Sequence, residues 1–330
     1  MIDIHLHLDG SLAVEDYVEL ALNYGVDLGS NFPDDIYVTN NCLSLAMYLT
    51  RFDKPVKLLQ CKEAIKFAVK SLIYRLSFMG YIYAEIRFAP LLHTEKGASQ
   101  LEITEGALEG LEEALKQCPN MEANLILCCM RHAPEEQNIE TIEVANKLKG
   151  TRVVAVDLAG GETLHPSSYY KKVFDLAKQY GLNITIHAGE ATGSDEIMMA
   201  LDNGAMRIGH GVHLSLDPDT VKRVKDKDIC FEFCPTSNLQ TKSLKTYQDV
   251  PLRQFMSLEI PVTINSDNMT VSRTDVINEL RIMKKTFNLT KDEVYNLLLN
   301  SIYYSFAKPE TKRKLKEKLD QRIVGFYYNL

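Results

Sequence analysis

Two patterns of apolar and polar positions alternate along the chain, one typical of β-strands and one typical of helices. Eight short apolar runs have strand character, and segments with helical spacing separate them. The predicted strands are an opening strand that ends before Asp9, followed by residues 81–88, 123–130, 153–158, 183–187, 207–209, 229–233 and 262–265. Strands that alternate with helices in this order predict a parallel sheet with helical crossovers.

Eight such units without an internal repeat or a change in composition predict one α/β domain over residues 1–330, a (β/α)8 TIM barrel with additional helices. An open doubly wound sheet is the main alternative, but that fold usually has a glycine-rich phosphate turn after its first strand. Two additions to the barrel are expected. They are a helical lid at about residues 30–56 and a helical C-terminal extension with helices at 275–287, 290–305 and 308–319.

Four apolar residues of the expected lid have the i, i+3, i+4, i+7 spacing of one helical face: Leu45, Tyr48, Leu49 and Phe52. This short helix is predicted to stop before Pro55, and a long helix is predicted over residues 57–79. Taken alone, an apolar stripe of this kind is typical of core packing. A role in a pocket therefore needs evidence from other parts of the chain.

Composition and charge narrow the range of partners. Hydrophobic residues make up 45% and charged residues 25% of the chain, which is typical of a soluble globular protein. A net charge of -7 argues against nucleic acid as a partner, and no apolar stretch is long enough for a membrane span. A small-molecule substrate and a cytoplasmic location are expected. The seven cysteines include no Cys-x-x-Cys unit and are predicted to be reduced.

His5 and His7 alternate along the opening strand and therefore share one face of it. The carboxyl ends of barrel strands lie on one rim, where His187 and Asp267 are expected to join them after strands five and eight. Zinc binds histidine nitrogens and carboxylate oxygens, and a catalytic zinc site keeps one position open for water. These four residues predict a zinc site. The alternative is that His5 and His7 are ordinary histidines of an edge strand.

Six short motifs follow one another in an order that resembles the adenosine deaminase family of metal-dependent amidohydrolases. They are HLHLDGSL at 5–12, DLAG at 157–160, HAGE at 187–190, IGHGVH at 208–213, CPTSN at 234–238 and NSDN at 265–268. The similarity also includes FDKP at 52–55 and YAEIRFAP at 83–90, so it covers nearly the whole chain. The resemblance is closest to bacterial-type members.

The resemblance implies roles for individual residues. One Zn²⁺ per chain would be bound by His5, His7, His187 and Asp267. The catalytic residues would be Glu190, as the proton shuttle, and His210, which orients the attacking hydroxide. The residues implied to bind the substrate are His7, Asp9 at the ribose end, Gly160 at the purine, Asn268, and Leu45, Tyr48, Leu49 and Phe52 of the lid.

Three further positions are less directly explained by the resemblance. Asn268 departs from the family pattern, because many members have an aspartate there; an asparagine amide can donate a hydrogen bond to purine N7 at any pH. The alternative for Asn268 is a turn cap after strand eight. His213 matches a family position without an assigned chemical step. Ser237 and Asn238 are interpreted as structural turn residues near the site.

The resemblance implies hydrolytic deamination of adenosine and 2′-deoxyadenosine to inosine and 2′-deoxyinosine, with release of ammonia, in purine salvage. Free adenine or a modified adenine nucleoside is the alternative substrate. A metal-dependent phosphoesterase would need basic residues for phosphate, and only Arg207 lies near the motifs. A non-catalytic relative would be expected to have lost Glu190 or a zinc ligand, and none is missing.

Overall fold

Eight parallel strands form a barrel in a computed structural model that describes residues 1–330. Each strand pairs in parallel with the next along the chain. The strands are β1 (Ile2–His7), β2 (Tyr83–Phe88), β3 (Glu122–Met130), β4 (Val153–Ala159), β5 (Asn183–Ala188), β6 (Arg207–His210), β7 (Cys230–Phe233) and β8 (Val262–Ile264). The predicted TIM barrel is confirmed, and no strand boundary differs from its predicted position by more than two residues.

The residues that follow β8 return to β1 and join the two ends of the sheet. The backbone N–H of Asp267 donates to the carbonyl of His5 at 2.9 Å, and the N–H of His7 donates to the carbonyl of Asp267 at 2.8 Å. Leu6 and Asp267 form a parallel bridge at this point. The closure therefore lies at the carboxyl end of β1 and brings Asp267 beside the two histidines of that strand.

Helices cover the outside of the barrel, and none is long and apolar enough to cross a bilayer. Most have one face buried against the strands, as their amphipathic spacing predicts. The helices are α1 (Val14–Tyr24), α2 (Leu45–Leu49), α3 (Asp53–Leu58), α4 (Lys62–Phe78), α5 (Gln100–Gln117), α6 (Glu135–Lys147), α7 (Lys171–Gln179), α8 (Ser194–Asp202), α9 (Pro218–Asp226), α10 (Pro235–Gln240), α11 (Leu252–Ser257), α12 (Val276–Phe287), α13 (Lys291–Tyr303) and α14 (Pro309–Asn329).

The helical segment around Pro55 differs from its prediction. Helix α2 ends at Leu49, a 3-10 turn covers Thr50–Phe52, and α3 begins directly afterwards with Pro55 in its first turn. Helix α2 therefore stops before Pro55 as predicted, but α3 was not predicted to include this proline. The first turn of a helix needs no hydrogen bond from the missing N–H of proline, so Pro55 is tolerated there. A break at residues 59–61 separates α3 from α4, so the long helix predicted over residues 57–79 begins only at Lys62.

Two other elements differ from expectation. Helix α14 continues to Asn329 and does not end at residue 319, because Ile323 extends the buried stripe formed by Leu315 and Leu319. The segment that holds Ser237 and Asn238 is the short helix α10, which begins at a proline, and the turn predicted there was wrong. A proline at the first position of a helix already has the backbone angle that the helix requires.

The interior of the barrel contains charged side chains at its centre. TIM-barrel interiors are usually filled by branched apolar residues, whereas here buried ions from strands that are not neighbours meet one another. Arg87 of β2 bonds to Asp157 of β4 and Glu232 of β7, each at 2.9 Å, and Arg207 of β6 bonds to Glu85 of β2 at 2.6 Å. All five side chains are no more than 1% exposed. The pocket at the carboxyl end of the barrel therefore lies on a layer of paired charges.

Candidate active site

Four side chains with metal-binding atoms meet at the carboxyl ends of β1, β5 and β8. The donor atoms of His5, His7, His187 and Asp267 all lie within 4.8 Å of one another. Nε2 of His7 is 3.2 Å from Nε2 of His187 and 3.4 Å from Oδ1 of Asp267, and Nε2 of His5 is 3.6 Å from the same oxygen. We name these four residues the donor group.

Two buried carboxylates hold two of the three rings of the donor group in place. Oε2 of Glu232 accepts a hydrogen bond from Nδ1 of His5 at 2.6 Å, and Asp157 accepts one from Nδ1 of His187 at 3.0 Å. A proton on Nδ1 leaves the Nε2 lone pair of each ring free for a ligand, which is the usual arrangement around metal-bound histidine. Nε2 of His5 is fully buried and has no hydrogen-bond partner. A metal ion at this point would satisfy it.

The charge states of the donor group also suit a cation. Burial lowers the pKa of His7 and of His187, so these rings are neutral at neutral pH. Burial alone would raise the pKa of Asp267, but the surrounding imidazoles hold that pKa well below its usual range. Metal ligands must be deprotonated. Neutral rings beside an ionised carboxylate therefore fit a divalent cation.

A second possible metal group overlaps the first one. It shares His5 and adds His210 and Cys234. Burial raises the pKa of the Cys234 thiol well above its usual range, and only the thiolate binds metal strongly. The donor group with Asp267 is therefore the better cation site.

Glu190 and His210 face each other beside the donor group. Oε2 of Glu190 lies 3.7 Å from Nε2 of His210, and Oε1 of Glu190 is buried without a partner. Burial raises the pKa of Glu190, which favours its protonated form. The amide of Asn238 donates to Nδ1 of His210 at 3.1 Å, and this bond fixes the ring and leaves the proton on Nε2.

A cavity of about 480 Å³ opens above these groups. Its volume lies in the range of small-molecule pockets. Twelve of its lining residues come from the site predicted by sequence, since only His5 lies beneath the surface. The cavity is lined by His7, Asp9, Leu45, Tyr48, Leu49, Phe52, Asp53, Val56, Lys57, Ala89, Leu92, Glu95, Cys128, Met130, His132, Ala159, Gly160, His187, Glu190, His210, Ser237, Asp267 and Asn268.

His213, in contrast, is outside the cavity. Its Nδ1 lies 3.2 Å from the carbonyl of Gly189 and its Nε2 lies 3.1 Å from the carbonyl of Ser243. The ring therefore joins two loops behind the site. His132 reaches the cavity wall, which its place in the sequence did not indicate.

Asn268 links the cavity wall to helix α2. Its Nδ2 donates to the hydroxyl of Tyr48 at 2.9 Å, and that hydroxyl is 2.7 Å from the hydroxyl of Ser272. Oδ1 of Asn268 lies against Gly10, where a β-carbon would come within 1.8 Å of it. One N–H of the amide is engaged by Tyr48, so the other remains available to a ligand.

Sequence reasoning missed the residues that support the site. Arg87, Asp157 and Glu232 lie in the middle or at the end of strands that read as apolar, and Glu162 lies in the loop after β4. A charged residue within a buried strand is the pattern that could have revealed the first three. Arg207 is fully paired, so it does not provide a phosphate site.

The chain is a parallel barrel with imidazoles and a carboxylate at the carboxyl ends of its strands. This arrangement places it in the class of barrel enzymes whose pocket can hold a divalent cation. A family model described as Adenosine deaminase matches residues 1–322. The chain belongs to the adenosine deaminase family. It is 43% identical to an adenosine deaminase of Haemophilus ducreyi, over 98% of this chain and 96% of that protein.

Solved structures show the same fold. The barrel superimposes on an adenine deaminase from Arthrobacter aurescens with a TM-score of 0.87 at 24% identity, covering 97% of this chain and 98% of that one. An Arabidopsis N6-mAMP deaminase gives a TM-score of 0.86 at 25% identity and covers 97% of both chains. These structures agree in fold but differ in the purine that they are named for.

Proposed function

We propose that the protein deaminates adenosine and 2′-deoxyadenosine hydrolytically, giving inosine and 2′-deoxyinosine with release of ammonia. The observation that carries the proposal is a buried acid with a raised pKa, Glu190, in the same cavity as the donor group. Similarity to adenosine deaminases over nearly the full chain supports this substrate class. The reaction is a hydrolysis of a C–N bond and belongs to purine salvage.

We propose that the donor group holds one Zn²⁺. Three imidazoles and one carboxylate suit zinc, and the unpartnered Nε2 of His5 supports a metal at this point. When bound, such an ion lowers the pKa of a coordinated water and so supplies a nucleophile at neutral pH. Glu232 and Asp157 keep the rings oriented for it.

Glu190 is proposed to transfer the proton, and His210 is proposed to orient the attacking water. The ring of an aromatic amine resists attack unless a proton is added to it, and a carboxylic acid can donate that proton to N1 of the purine. Glu190 is suited to this role because its Oε1 is buried and has no partner within the protein. His210, held by Asn238, presents Nε2 to the attacking water and orients it.

The remaining cavity residues are proposed to bind the nucleoside. Gly160 borders the cavity with a positive φ of 100°, a conformation that allows close approach of its backbone to the purine. Asn268 retains one N–H for purine N7, and Asp9 is proposed to contact the ribose. Leu45, Tyr48, Leu49 and Phe52 cover the cavity on the side of α2 and exclude water.

The charges at the cavity favour a nucleoside over a nucleotide. Asp9, Asp53 and Glu95 line it, against a single lysine, Lys57. A phosphate group would meet repulsion from the carboxylates, because like charges in a partly enclosed site cost free energy. Free adenine or a modified adenine nucleoside is the alternative substrate, and the fold shared with an adenine deaminase is compatible with it.

A panel of 6-aminopurines tests the proposal. The metal content of the purified protein would be measured first. The protein would then be given adenosine, 2′-deoxyadenosine, adenine, N6-methyladenosine and AMP in separate assays, and the loss of substrate absorbance in the ultraviolet would be followed. We expect the highest kcat/KM for the two unmodified nucleosides. Zinc-loaded protein that turns over adenine but neither nucleoside would contradict the proposal.

A cytoplasmic location is also proposed. All seven cysteines are free, and six of them are buried. Free thiols in this number are typical of a reducing compartment.

A further inference from the structure

Four hydrogen-bond donors of one loop converge on the carboxylate of Glu162. Oε1 accepts the backbone N–H groups of Glu190 and Ala191 at 2.7 and 2.9 Å. Oε2 accepts the N–H of Gly189 at 2.9 Å and the hydroxyl of Thr192. A carboxylate has about four lone-pair sites, so this one side chain can accept hydrogen bonds from all four donors.

Glu162 is itself buried, with 2% of its surface exposed. Burial alone would raise the pKa of its carboxyl group, but the bonds from Thr192 and Ala191 and the charge of Arg131 hold that pKa below its usual range. The group is therefore a carboxylate at neutral pH and can accept from all four donors. It lies two residues after Gly160, so it connects the loop at the proposed purine site to the loop that carries Glu190.

The carboxyl group of Glu190 has no comparable support of its own. Oε1 has no partner, and Oε2 approaches only His210, at 3.7 Å. The direction of this side chain therefore depends on the backbone to which it is attached. That backbone turns at Gly189, where φ is 68°, and is then held by Glu162.

We infer that Glu162 is a positioning residue for Glu190: its carboxylate holds the backbone of residues 189–192 so that the Glu190 carboxyl group points into the cavity. This inference rests on the proposed function, in which Glu190 is the proton donor. Glu162 lies outside the cavity lining and contacts no member of the donor group through its side chain. Its effect on the reaction is transmitted through Glu190.

The variant Glu162→Gln tests the inference. Glutamine has nearly the same shape, but its NH2 group would face N–H or hydroxyl donors that need an acceptor. We expect metal content to stay unchanged and kcat for adenosine to fall by about 10- to 100-fold, because a small displacement of a catalytic group has effects of this order. KM should change much less, since the side chain of Glu162 does not line the cavity.

Glu196→Gln is the matched control. Glu196 is another buried glutamate whose carboxylate accepts from a loop, in this case the backbone N–H of Ser167, and it pairs with Arg131. The control measures the cost of losing a buried carboxylate that does not hold the Glu190 backbone. We expect its kcat to fall much less than that of Glu162→Gln, because the four hydrogen bonds from residues 189–192 to Glu162 stay in place.

The alkaline limb of the pH profile gives a second measurement. His210, Asp267, Glu162 and His187 are the charged or titratable groups around Glu190, and the negative charges of Asp267 and Glu162 help to raise its pKa. Removal of the Glu162 charge should move the alkaline limb of kcat/KM to lower pH. Glu196→Gln should leave it in place, and a role limited to general stability would not move it either.

Hydrogen exchange of the Gly189–Ala191 amides separates the inference from the proposed function, because it needs no turnover. We expect these amides to be protected in the parent protein and to exchange faster in Glu162→Gln than in Glu196→Gln. If Glu162→Gln does not fold, Thr192→Val removes a single donor and should give the same changes on a smaller scale. Unchanged loop protection in the substituted protein would overturn the inference, whether or not adenosine is a substrate. Faster exchange with an unchanged kcat for adenosine would overturn it as well.

Discussion

The floor of the cavity and its helical cover are held in different ways. The floor, defined as the donor group with Glu232, Asp157 and Arg87, lies on strands and is tied together by buried ion pairs. The cover, defined as α2, the turn at Thr50–Phe52 and α3, consists of short helices, and Leu49 and Phe52 in it are only partly buried. The hydroxyl of Tyr48 joins it to the loop after β8 through hydrogen bonds with Asn268 and Ser272.

This difference separates two physical tasks. Helices of five or six residues have little stability of their own, so the cover depends on contacts with its surroundings. Arg87, Asp157 and Glu232 of the floor are fully buried, and charged hydrogen bonds are strong where water is excluded. The floor is therefore suited to hold ligand atoms at constant distances, and the cover is suited to open for a substrate.

Loss of a floor ligand should have the largest effect. Asp267→Ala removes the anionic side chain of the donor group, at a residue whose backbone closes the barrel. We expect the metal content to fall from about one per chain to a small fraction, with turnover reduced by a factor on the order of 10³ or more because the metal supplies the nucleophile. Metal analysis after dialysis measures the first effect. Full metal occupancy in this variant would show that Asp267 is not a ligand.

Glu190→Gln should separate proton transfer from metal binding. The amide is nearly isosteric, so fold and metal content should be retained, while kcat falls by a factor on the order of 10² or more through loss of the acid. Glu190 donates only when protonated, and burial raises its pKa, so the activity of the parent protein should decline as pH rises through that pKa. The variant should lack this decline. A variant as active as the parent would require another proton donor.

Arg87→Met tests the support beneath the floor. It removes the cation between Asp157 and Glu232, the two carboxylates that orient His187 and His5. Substitutions of such supporting groups typically weaken metal affinity by about 10- to 100-fold. Competition with a chelator measures this. Arg207→Met removes a guanidinium that pairs with Glu85 and with Glu232 but not with Asp157, so it should weaken the metal less for a similar loss of thermal stability. Equal losses of metal affinity would remove the distinction between the two arginines.

Asn268→Ala examines the boundary between floor and cover. If Asn268 donates to N7, this variant should lose roughly 10-fold or more in kcat/KM with adenosine, as expected for one hydrogen bond of about 1.5 kcal/mol. With 7-deazaadenosine, which lacks the N7 acceptor, the variant should have the same kcat/KM as the parent protein. Equal proportional losses with the two substrates would show that Asn268 supports Tyr48 and the loop, and does not read N7.

Leu49→Ala should have the smallest effect. The residue lies in the cover and is partly exposed, so its loss should raise KM for adenosine by about 3- to 10-fold through reduced apolar contact and leave metal content unchanged. A decrease in metal affinity would contradict the separation of floor from cover.

The sequence predicted the donor group better than it predicted the helices of the cover, for physical reasons. Strand periodicity and the common rim of a barrel place His5, His7 and Asp267 together from local patterns alone. In the cover, the sequence did not reveal that α3 begins at Asp53 and includes Pro55. A proline is tolerated in the first turn of a helix, and the local pattern did not show that a new helix begins there.

The supporting groups were missed for a different reason. Glu232 of β7 and Arg87 of β2 are far apart in sequence and meet only because the barrel closes. Glu162 lies within a loop whose hydrogen bonds depend on the path of the next loop. The sequence pattern of a single strand does not show which charged residue of another strand it will pair with across the barrel.

Removal and return of the metal tests the central claim most directly, namely that the donor group and Glu190 together deaminate adenosine. The protein would be stripped with a chelator, assayed with adenosine, and titrated with zinc while both binding and turnover are followed. We expect activity to be lost and then restored in full at about one equivalent of zinc per chain, as for a single catalytic site. Full activity in the stripped protein, or bound zinc without turnover of adenosine, would contradict the account.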